Sequence, residues 1–241
     1  MSYPLQEKRT LRIGHRGAAA HAPHNTLASF RKAAELGADM VELDVQRCAD
    51  GQVVVIHDLI LKAPDGRLLP VHDTPLAELQ AVDLGLGEHV STFQQVLETC
   101  KQLDLGMYIE LKDGGSAPLV IHALAEHNYA SACLACSFRP DWVADFKAAA
   151  AHIGTSILFG SKAIDGPRTV SLARACGASF VHPCWESGLH PSELLTPEWL
   201  GAVRAAGLGV ITWHEERPDE IAALKWLGVD GICSDRPELL V

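Results

Sequence analysis

The chain has 241 residues, of which 48% are hydrophobic and 21% charged, a length and composition that suit one α/β barrel spanning residues 1–241 as a single domain. The net charge of −10 offers no basic surface, so we expect neither a nucleic-acid partner nor a stable membrane anchor. No apolar run approaches the roughly 20 residues of a membrane span, and residues 1–10 lack the apolar core of a signal peptide. These features predict a cytoplasmic location.

Short apolar runs alternate along the chain with segments of helical periodicity. Strands are predicted at 11–14, 40–46, 53–57, 107–111, 133–137, 156–160, 180–183, 208–213 and 231–234. Helices are predicted at 26–36, 92–102, 118–126, 141–150, 169–175, 197–206 and 219–227. Most of the strands are continuously apolar, as expected when both faces of a sheet are covered. About eight strand–helix units predict a closed TIM (β/α)8 barrel, with an open doubly wound sheet as the alternative.

The segment 59–90 departs from this rhythm. Pro64, Gly66 and Pro70 mark turns in it, and Asp73-Thr74-Pro75 predicts the start of a short helix. Because it directly follows His57-Asp58, we interpret it as a small insertion over the mouth of the barrel, which caps the site or contacts the substrate.

Seven scattered cysteines argue against a disulfide framework. Cys133 and Cys136 match the C-x-x-C pattern of metal and redox sites. On the predicted strand, however, residues three apart point to opposite faces. We therefore expect both thiols to pack in the core.

Carboxylates follow two of the apolar runs. Glu42 and Asp44 lie two residues apart on one predicted strand and therefore face the same side, and Glu110 ends a second strand. Inward carboxylates repel one another unless a cation lies between them, and oxygen ligands favour Mg²⁺ or Ca²⁺ over zinc. The pattern predicts one divalent cation, Mg²⁺ or Ca²⁺, held by Glu42, Asp44 and Glu110.

Histidines and cations follow the same strand ends. His15 and His57 are predicted at the mouths of separate strands on either side of the cation, where two imidazoles can remove and deliver the protons of phosphodiester cleavage. Arg16 offers a planar fork for phosphate oxygens, and Lys112 offers a second positive charge. Together these residues indicate a metal-assisted phosphoryl-transfer site for an anionic small molecule.

At these positions the sequence resembles the glycerophosphodiester phosphodiesterase family. The matching segments are 13–17 (IGHRG), 23–26 (PHNT), 37–45 (GADMVELDV), 50–58 (DGQVVVIHD), 109–112 (IELK), 137–138 (SF), 212–213 (TW) and 228–237 (GVDGICSDRP). The resemblance implies a TIM barrel that hydrolyses glycerophosphodiesters to glycerol 3-phosphate and an alcohol with a divalent metal. It also implies that the cleavage begins with attack by the substrate's own glycerol hydroxyl, although direct attack by water stays open from the sequence alone.

The resemblance implies a role for each of several residues. His15 and His57 would be the general acid and base, and Glu42, Asp44 and Glu110 would bind the metal. Arg16 and Lys112 would contact the phosphate, and Trp213 would line the glycerol side of the site. These are the site residues that we expect the fold to bring together.

Three departures from the family pattern bear on the substrate. His24 stands where the family usually has Glu, the segment after Asp58 keeps little of the family pattern, and His214-Glu215-Glu216 replaces the usual Thr-Val-Asn. We hypothesise that the alcohol or glycerol side of the substrate is not the usual one. The sequence does not determine which alcohol is released or the oligomeric state.

Three other functions are alternatives to a glycerophosphodiester phosphodiesterase. A related barrel phosphodiesterase acting on lysophospholipids or phosphoinositides would need an apolar groove or a membrane-facing surface, and no basic amphipathic segment is evident. A catalytically silent phosphate-binding barrel would lack a histidine or a carboxylate of the set. A sugar-phosphate isomerase or aldolase on the same fold would not need a Glu-x-Asp pair beside His-Arg.

Overall fold

The computed structural model describes residues 9–160, 165–184 and 190–241. Its strands are β1 (Leu11–Gly14), β2 (Met40–Arg47), β3 (Val53–Val55), β4 (Ile60–Lys62), β5 (Leu68–Pro70), β6 (Ser91–Thr92), β7 (Gly106–Leu111), β8 (Cys133–Ser137), β9 (Gly154–Gly160), β10 (Phe180–Cys184), β11 (Gly209–Thr212) and β12 (Gly231–Ser234). Its helices are α1 (Leu27–Glu35), α2 (Leu76–Gln80), α3 (Phe93–Gln102), α4 (Ala117–Glu126), α5 (Pro140–Ala149), α6 (Gly166–Cys176), α7 (Pro197–Ala205) and α8 (Pro218–Leu227). Among these residues no helix combines the length and apolar character needed to cross a lipid bilayer.

Eight parallel strands close into a barrel. The order runs β1, β12, β11, β10, β9, β8, β7, β2, and β2 pairs again with β1. Helices connect most of these parallel neighbours, as parallel pairing requires. The structure therefore confirms the predicted TIM barrel, with the carboxyl ends of all eight strands at one mouth.

The predicted strand at 53–57 is not a barrel strand. β3 runs antiparallel to the end of β2, with Val45 opposite Val55, and β6 pairs antiparallel with β3. Only residues 48–52 separate β2 from β3, and a connection this short makes a hairpin and not a helical crossover. His57 therefore follows β3, which pairs with the end of β2 outside the barrel, and does not lie at the mouth of a separate barrel strand.

Side chains of the barrel strands fill its interior. Ile13, Met40, Tyr108 and Leu158 form a buried cluster there with Cys136, Cys184, Ile211 and Cys233. Outside the barrel, a larger apolar layer packs the helices onto the strands. The barrel is therefore a packed support, and its open volume lies at the mouth.

The two C-x-x-C thiols lie in different layers. Cys136 packs inside the barrel, whereas Cys133 packs between the barrel and the helices, and burial raises the pKa of the Cys133 thiol to about 12. All seven cysteines fall in the described part of the chain, where they are buried and no disulfide joins them. The expected core role of this pair is confirmed.

Residues 59–90 form a small unit beside the mouth. β4 and β5 pair as an antiparallel hairpin, and α2 begins directly after Asp73-Thr74-Pro75 as predicted. Leu61, Leu69 and Leu79 pack in one apolar cluster with residues that flank β3. The insertion thus packs against the hairpin of β2 and β3, and His57 follows β3.

Candidate active site

Three carboxylates meet at the carboxyl end of the barrel. Glu42 and Asp44 project from one face of β2, and Glu110 on β7 is the register partner of Asp44. The three side chains are almost fully buried, and one oxygen of each lies within 4.8 Å of the others. Parallel pairing of β2 with β7 therefore brings together the three ligands that the sequence predicts.

Burial and mutual repulsion shift the pKa values of this group. Burial and the charge of Asp44 raise the pKa of Glu42 well above its usual value, and the same two causes raise that of Glu110 to about 7. Burial acts in the same direction on Asp44, but the charges of Lys112 and Arg16 outweigh it and leave the pKa of Asp44 lowered. The cluster holds more negative charge than these cations neutralise.

The donors of this cluster fit a hard cation. Glu42 Oε1 is buried without a hydrogen-bond partner. Lys112 Nζ lies 3.0 Å from Glu110 Oε1 and 3.3 Å from Asp44 Oδ1. Carboxylate oxygens without a thiolate are the donor set of Mg²⁺ or Ca²⁺, so the three carboxylates could hold the predicted ion.

His15 directly follows β1 and is buried. A residue near the other end of the chain, Asp235, orients its ring. Its Nδ1 lies 2.7 Å from Asp235 Oδ1, and its Nε2 lies 4.0 Å from Glu42 Oε2. Burial lowers the pKa of His15 against the opposing effect of the Asp235 hydrogen bond. Because an ionised carboxylate only accepts, Nδ1–H donates to Asp235, and the lone pair of Nε2 is directed toward the carboxylates.

Arg16 and Asn25 hold the cluster from the α1 side. The Arg16 backbone N–H donates to Glu42 Oε2 at 3.0 Å, and Arg16 Nε lies 3.5 Å from Asp44 Oδ2. The Asn25 side chain donates to Asp44 Oδ2 at 2.8 Å, while its backbone N–H donates to the carbonyl of Arg16. Arg16 is thus placed beside the carboxylates as predicted, with its side chain about a quarter exposed.

Two functional positions escape sequence reasoning. Asn25 reads as part of a helix cap, although Thr26 is the residue whose side chain caps α1. Asp235 is 220 residues from His15, and its sequence signals are its place directly past the strand β12 and within the matching segment 228–237, neither of which indicates its partner. The contact of Asp235 with His15 forms when β12 pairs with β1, and that of Asn25 with Asp44 forms when β1 pairs with β2.

His57 lies on the opposite side of the carboxylates and is a third exposed. Its Nδ1 is 2.8 Å from Asp58 Oδ1, and its positive charge contributes to the lowered pKa of Asp44. His24 lies on the same rim, where partial burial and then the charge of Arg16 lower its pKa. The two predicted catalytic histidines therefore flank the cluster in different environments, one buried and one accessible.

Aromatic rings form a wall beside His15. The Trp213 ring centroid lies 5.9 Å from that of His15, 4.5 Å from that of His182 and 5.7 Å from that of Phe138. His182 is fully buried, and its Nδ1 lies 2.7 Å from the hydroxyl of Tyr108. Trp213 accordingly lies on the His15 side of the site, where a glycerol group is expected.

The segment after Trp213 carries a second group of possible ligands. One atom each of His214, Glu216 and Asp235 lies within 4.8 Å of the others. These side chains are only partly buried, and His214 stacks on His15 with centroids 4.7 Å apart. Glu215, by contrast, is buried and pairs with Arg217.

A cleft opens beside the carboxylates on the His57 side. It measures about 410 Å³ and lies between the segment 57–59 and the residues at and after the ends of β7 and β8, including Glu110, Lys112 and Phe138. The mouth of the barrel therefore has a side at His15 and Trp213 and a side at His57 and this cleft, and the two sides meet at Phe138, whose ring contacts Trp213.

Known proteins of one family are similar to this chain. Residues 15–239 match the model of the Glycerophosphoryl diester phosphodiesterase family. The chain is 31% identical over 245 residues to a glycerophosphodiester phosphodiesterase of Caldanaerobacter subterraneus, with 97% of each protein covered.

Solved structures show the same similarity. A glycerophosphodiester phosphodiesterase from Agrobacterium tumefaciens superposes with a TM-score of 0.82 at 27% identity, over 96% of this chain and 98% of that one. A phosphodiesterase from Oleispira antarctica, solved in complex with the product sn-glycerol-3-phosphate, superposes with a TM-score of 0.84 at 24% identity, over 96% and 95% of the two chains.

Proposed function

Since this chain belongs to the glycerophosphoryl diester phosphodiesterase family and hydrolyses glycerophosphodiesters to glycerol 3-phosphate and an alcohol, we propose that His15 and His57 transfer the protons of this reaction on either side of one divalent cation. The observation that supports this most is the buried group of Glu42, Asp44 and Glu110, which one histidine approaches from each side.

Glu42, Asp44 and Glu110 would hold the cation, which we propose to be Mg²⁺ or Ca²⁺. When bound, it would supply positive charge to the phosphate oxygens. The alternative group at His214, Glu216 and Asp235 is less suited to this role, because it is more exposed and Asp235 already accepts a hydrogen bond from His15.

Arg16 and Lys112 would bind the phosphate. Both side chains are mostly buried and sit against the carboxylates, so a phosphate at the mouth would lie within reach of their N–H groups. Trp213 would line the glycerol side next to His15. These contacts would leave the two ester oxygens of the substrate directed toward opposite sides of the site.

The two histidines would divide the proton transfers. Burial lowers the pKa of His15, which favours its neutral form, and Asp235 directs its Nε2 lone pair to the cluster, so His15 is suited to remove a proton from the nucleophile. His57 is accessible and borders the cleft, so it is suited to protonate the leaving alcohol. This division holds whether the glycerol hydroxyl or water attacks.

The test is glycerol 3-phosphate release from several glycerophosphodiesters with Mg²⁺, Ca²⁺, Mn²⁺ or EDTA. We expect activity to require the cation, and His15→Ala and His57→Ala each to lower kcat by about 10²–10⁴-fold. His122→Ala is a matched control, since His122 is exposed on α4 and pairs only with Glu126 there. Full activity in EDTA, or in both active-site variants, would refute the proposal.

A cytoplasmic location and a small-molecule substrate belong to the same proposal. Seven buried cysteines without a disulfide among them suit a reducing compartment. The net charge of −10 disfavours nucleic acid as a partner. The interpretation of residues 1–241 as a single domain likewise stays a prediction.

A further inference from the structure

The cleft beside His57 is continuous with the active site. Its walls include His57, Glu110 and Lys112, which are a proposed acid, a proposed cation ligand and a proposed phosphate contact. A phosphodiester held at the carboxylates extends in two directions, and the glycerol half is assigned to the side of Trp213. The other half, the alcohol that leaves, therefore enters this cleft.

Large apolar side chains line the cleft and remain accessible. Leu59 is 65% exposed and Phe138 is 43% exposed, although both adjoin catalytic groups. Ile60, next to Leu59 in the chain, and Leu68 are also exposed apolar residues, on the β4–β5 hairpin. Apolar surface concentrated at a functional opening indicates that a ligand covers it.

The cations that line the cleft limit its aromatic recognition of a cationic group. Lys112 pairs with Glu110, and Arg139 pairs with Asp141 while its guanidinium lies 5.0 Å from the ring centre of Trp142. On the indole's Nε1 edge, Trp142 packs so close to Gly114 that an added Cβ there would lie 2.8 Å from Nε1. Arg139 therefore occupies one face of the tryptophan, the best aromatic partner for a quaternary ammonium, and the exposed Phe138 is a weaker partner.

The carboxylates of the cleft are also engaged. Asp58 Oδ1 lies 2.8 Å from His57 Nδ1, and Glu110 accepts a hydrogen bond from Lys112. Each of these two carboxylates is shared with a neighbouring imidazole or ammonium group, which weakens its attraction for a choline or ethanolamine headgroup.

We propose that this cleft binds the leaving alcohol and selects an uncharged, apolar alcohol over choline or ethanolamine. The inference rests on the proposed function, because it assumes cleavage at the carboxylate cluster. It also gives a physical basis for the altered sequence after Asp58.

The first experiment compares kcat/KM for glycerophosphodiesters that differ only in the leaving alcohol: n-propanol, n-hexanol, benzyl alcohol, choline and ethanolamine. We expect kcat/KM to rise roughly threefold per added methylene group and the hexyl and benzyl esters to exceed the choline ester by at least about tenfold. A preference for choline or ethanolamine, or no dependence on chain length, would overturn the inference. Failure to cleave any ester would instead refute the proposed function.

Single-residue variants test which side chains of the cleft determine the selectivity for the leaving alcohol. Leu59→Ser and Phe138→Ser should each lower kcat/KM for the hexyl ester several-fold more than for the choline ester. Arg139→Gln should raise kcat/KM for the choline ester relative to that for the propyl ester. Trp226→Ser, at an 85% exposed position on α8, is the control and should change neither ester. Equal losses on all esters in the Leu59 and Phe138 variants would show that the cleft does not bind the alcohol.

Discussion

His15 depends on a partner that lies at the far end of the chain. Its Nδ1–H donates to Asp235 over 2.7 Å, and this contact determines which ring nitrogen faces the carboxylates. His57 has the equivalent partner one residue away, in Asp58. Because the two histidines are held by different elements, their orientations can be perturbed separately.

Replacing Asp235 with Asn should leave the fold intact and impair the base. The amide can donate to Nδ1 and so favour the tautomer with the proton on Nε2, which cannot accept a proton from the nucleophile. We expect kcat to fall by roughly 10²-fold with little change in KM. Steady-state kinetics with ¹⁵N NMR of the His15 ring checks both effects.

Glu126→Gln is the matched control for this variant, because Glu126 is an exposed carboxylate on α4 that pairs with a histidine, His122, outside the active site. An Asp235→Asn enzyme with wild-type kcat, or a kcat loss with an unchanged His15 tautomer, would contradict a positioning role for Asp235.

Cation binding should depend on pH through the carboxylates. In the protein without the ion the pKa of Glu110 is raised to about 7 and that of Glu42 is raised as well, so below pH 7 the cation must displace protons. The association constant for Mn²⁺ should fall by at least about tenfold per pH unit as the pH falls below 7. Titration calorimetry in two buffers of different ionisation enthalpy measures the protons released. A constant affinity from pH 5.5 to 8 would contradict these pKa shifts.

Sequence reasoning succeeds best for residues that end a strand. Glu42, Asp44 and Glu110 are predictable because side chains two apart share a face and parallel strands end at one mouth. Asn25 and Asp235 are not, since their hydrogen bonds depend on which loops meet in space. The cleft is equally unpredictable from the sequence, because three segments far apart in the chain form it.

Among the elements, the turn between β1 and α1 has the strictest geometry. Arg16 and Gly17 both adopt positive φ, at 53° and 89°. A Cβ at Gly17 would overlap the Ser29 hydroxyl and lie 2.7 Å from the Ser29 carbonyl carbon. Glycine is therefore needed both for the backbone angle and for the close approach of α1.

Gly17→Ala should destabilise the protein by about 2–4 kcal/mol, because it adds an overpacked contact to the cost of positive φ. Gly51→Ala is the control: Gly51 has φ of 74°, yet no atom lies within 4 Å of its Cβ position. The control should lose only about 1 kcal/mol. Urea denaturation of both variants gives the comparison, and equal losses would contradict the packing argument.

The strand at 53–57 shows where periodicity alone is insufficient. Its apolar run is typical of a buried barrel strand, but the short connection after β2 folds it back as a hairpin. The pattern of side chains predicts a strand correctly, whereas the partner of that strand depends on loop length. The consequence for function is that His57 follows β3, whose flanking residues pack against the insertion.

At the scale of the whole molecule, closure of the barrel assembles the site. β1 pairs with β12 on one side and with β2 on the other, which places His15 between Asp235 and Glu42. The alternation of strands and helices predicts this closure, since about eight units complete one ring. The split of the mouth into a His15 side and a His57 side follows only from the three-dimensional arrangement.

The proposed reaction depends on one cation bound by Glu42, Asp44 and Glu110. An anomalous difference map from a crystal soaked in Mn²⁺ shows where such a cation binds. We expect one dominant peak within coordination distance of all three carboxylates. A dominant peak at His214, Glu216 and Asp235 instead, or no ordered peak at the three carboxylates, would contradict it.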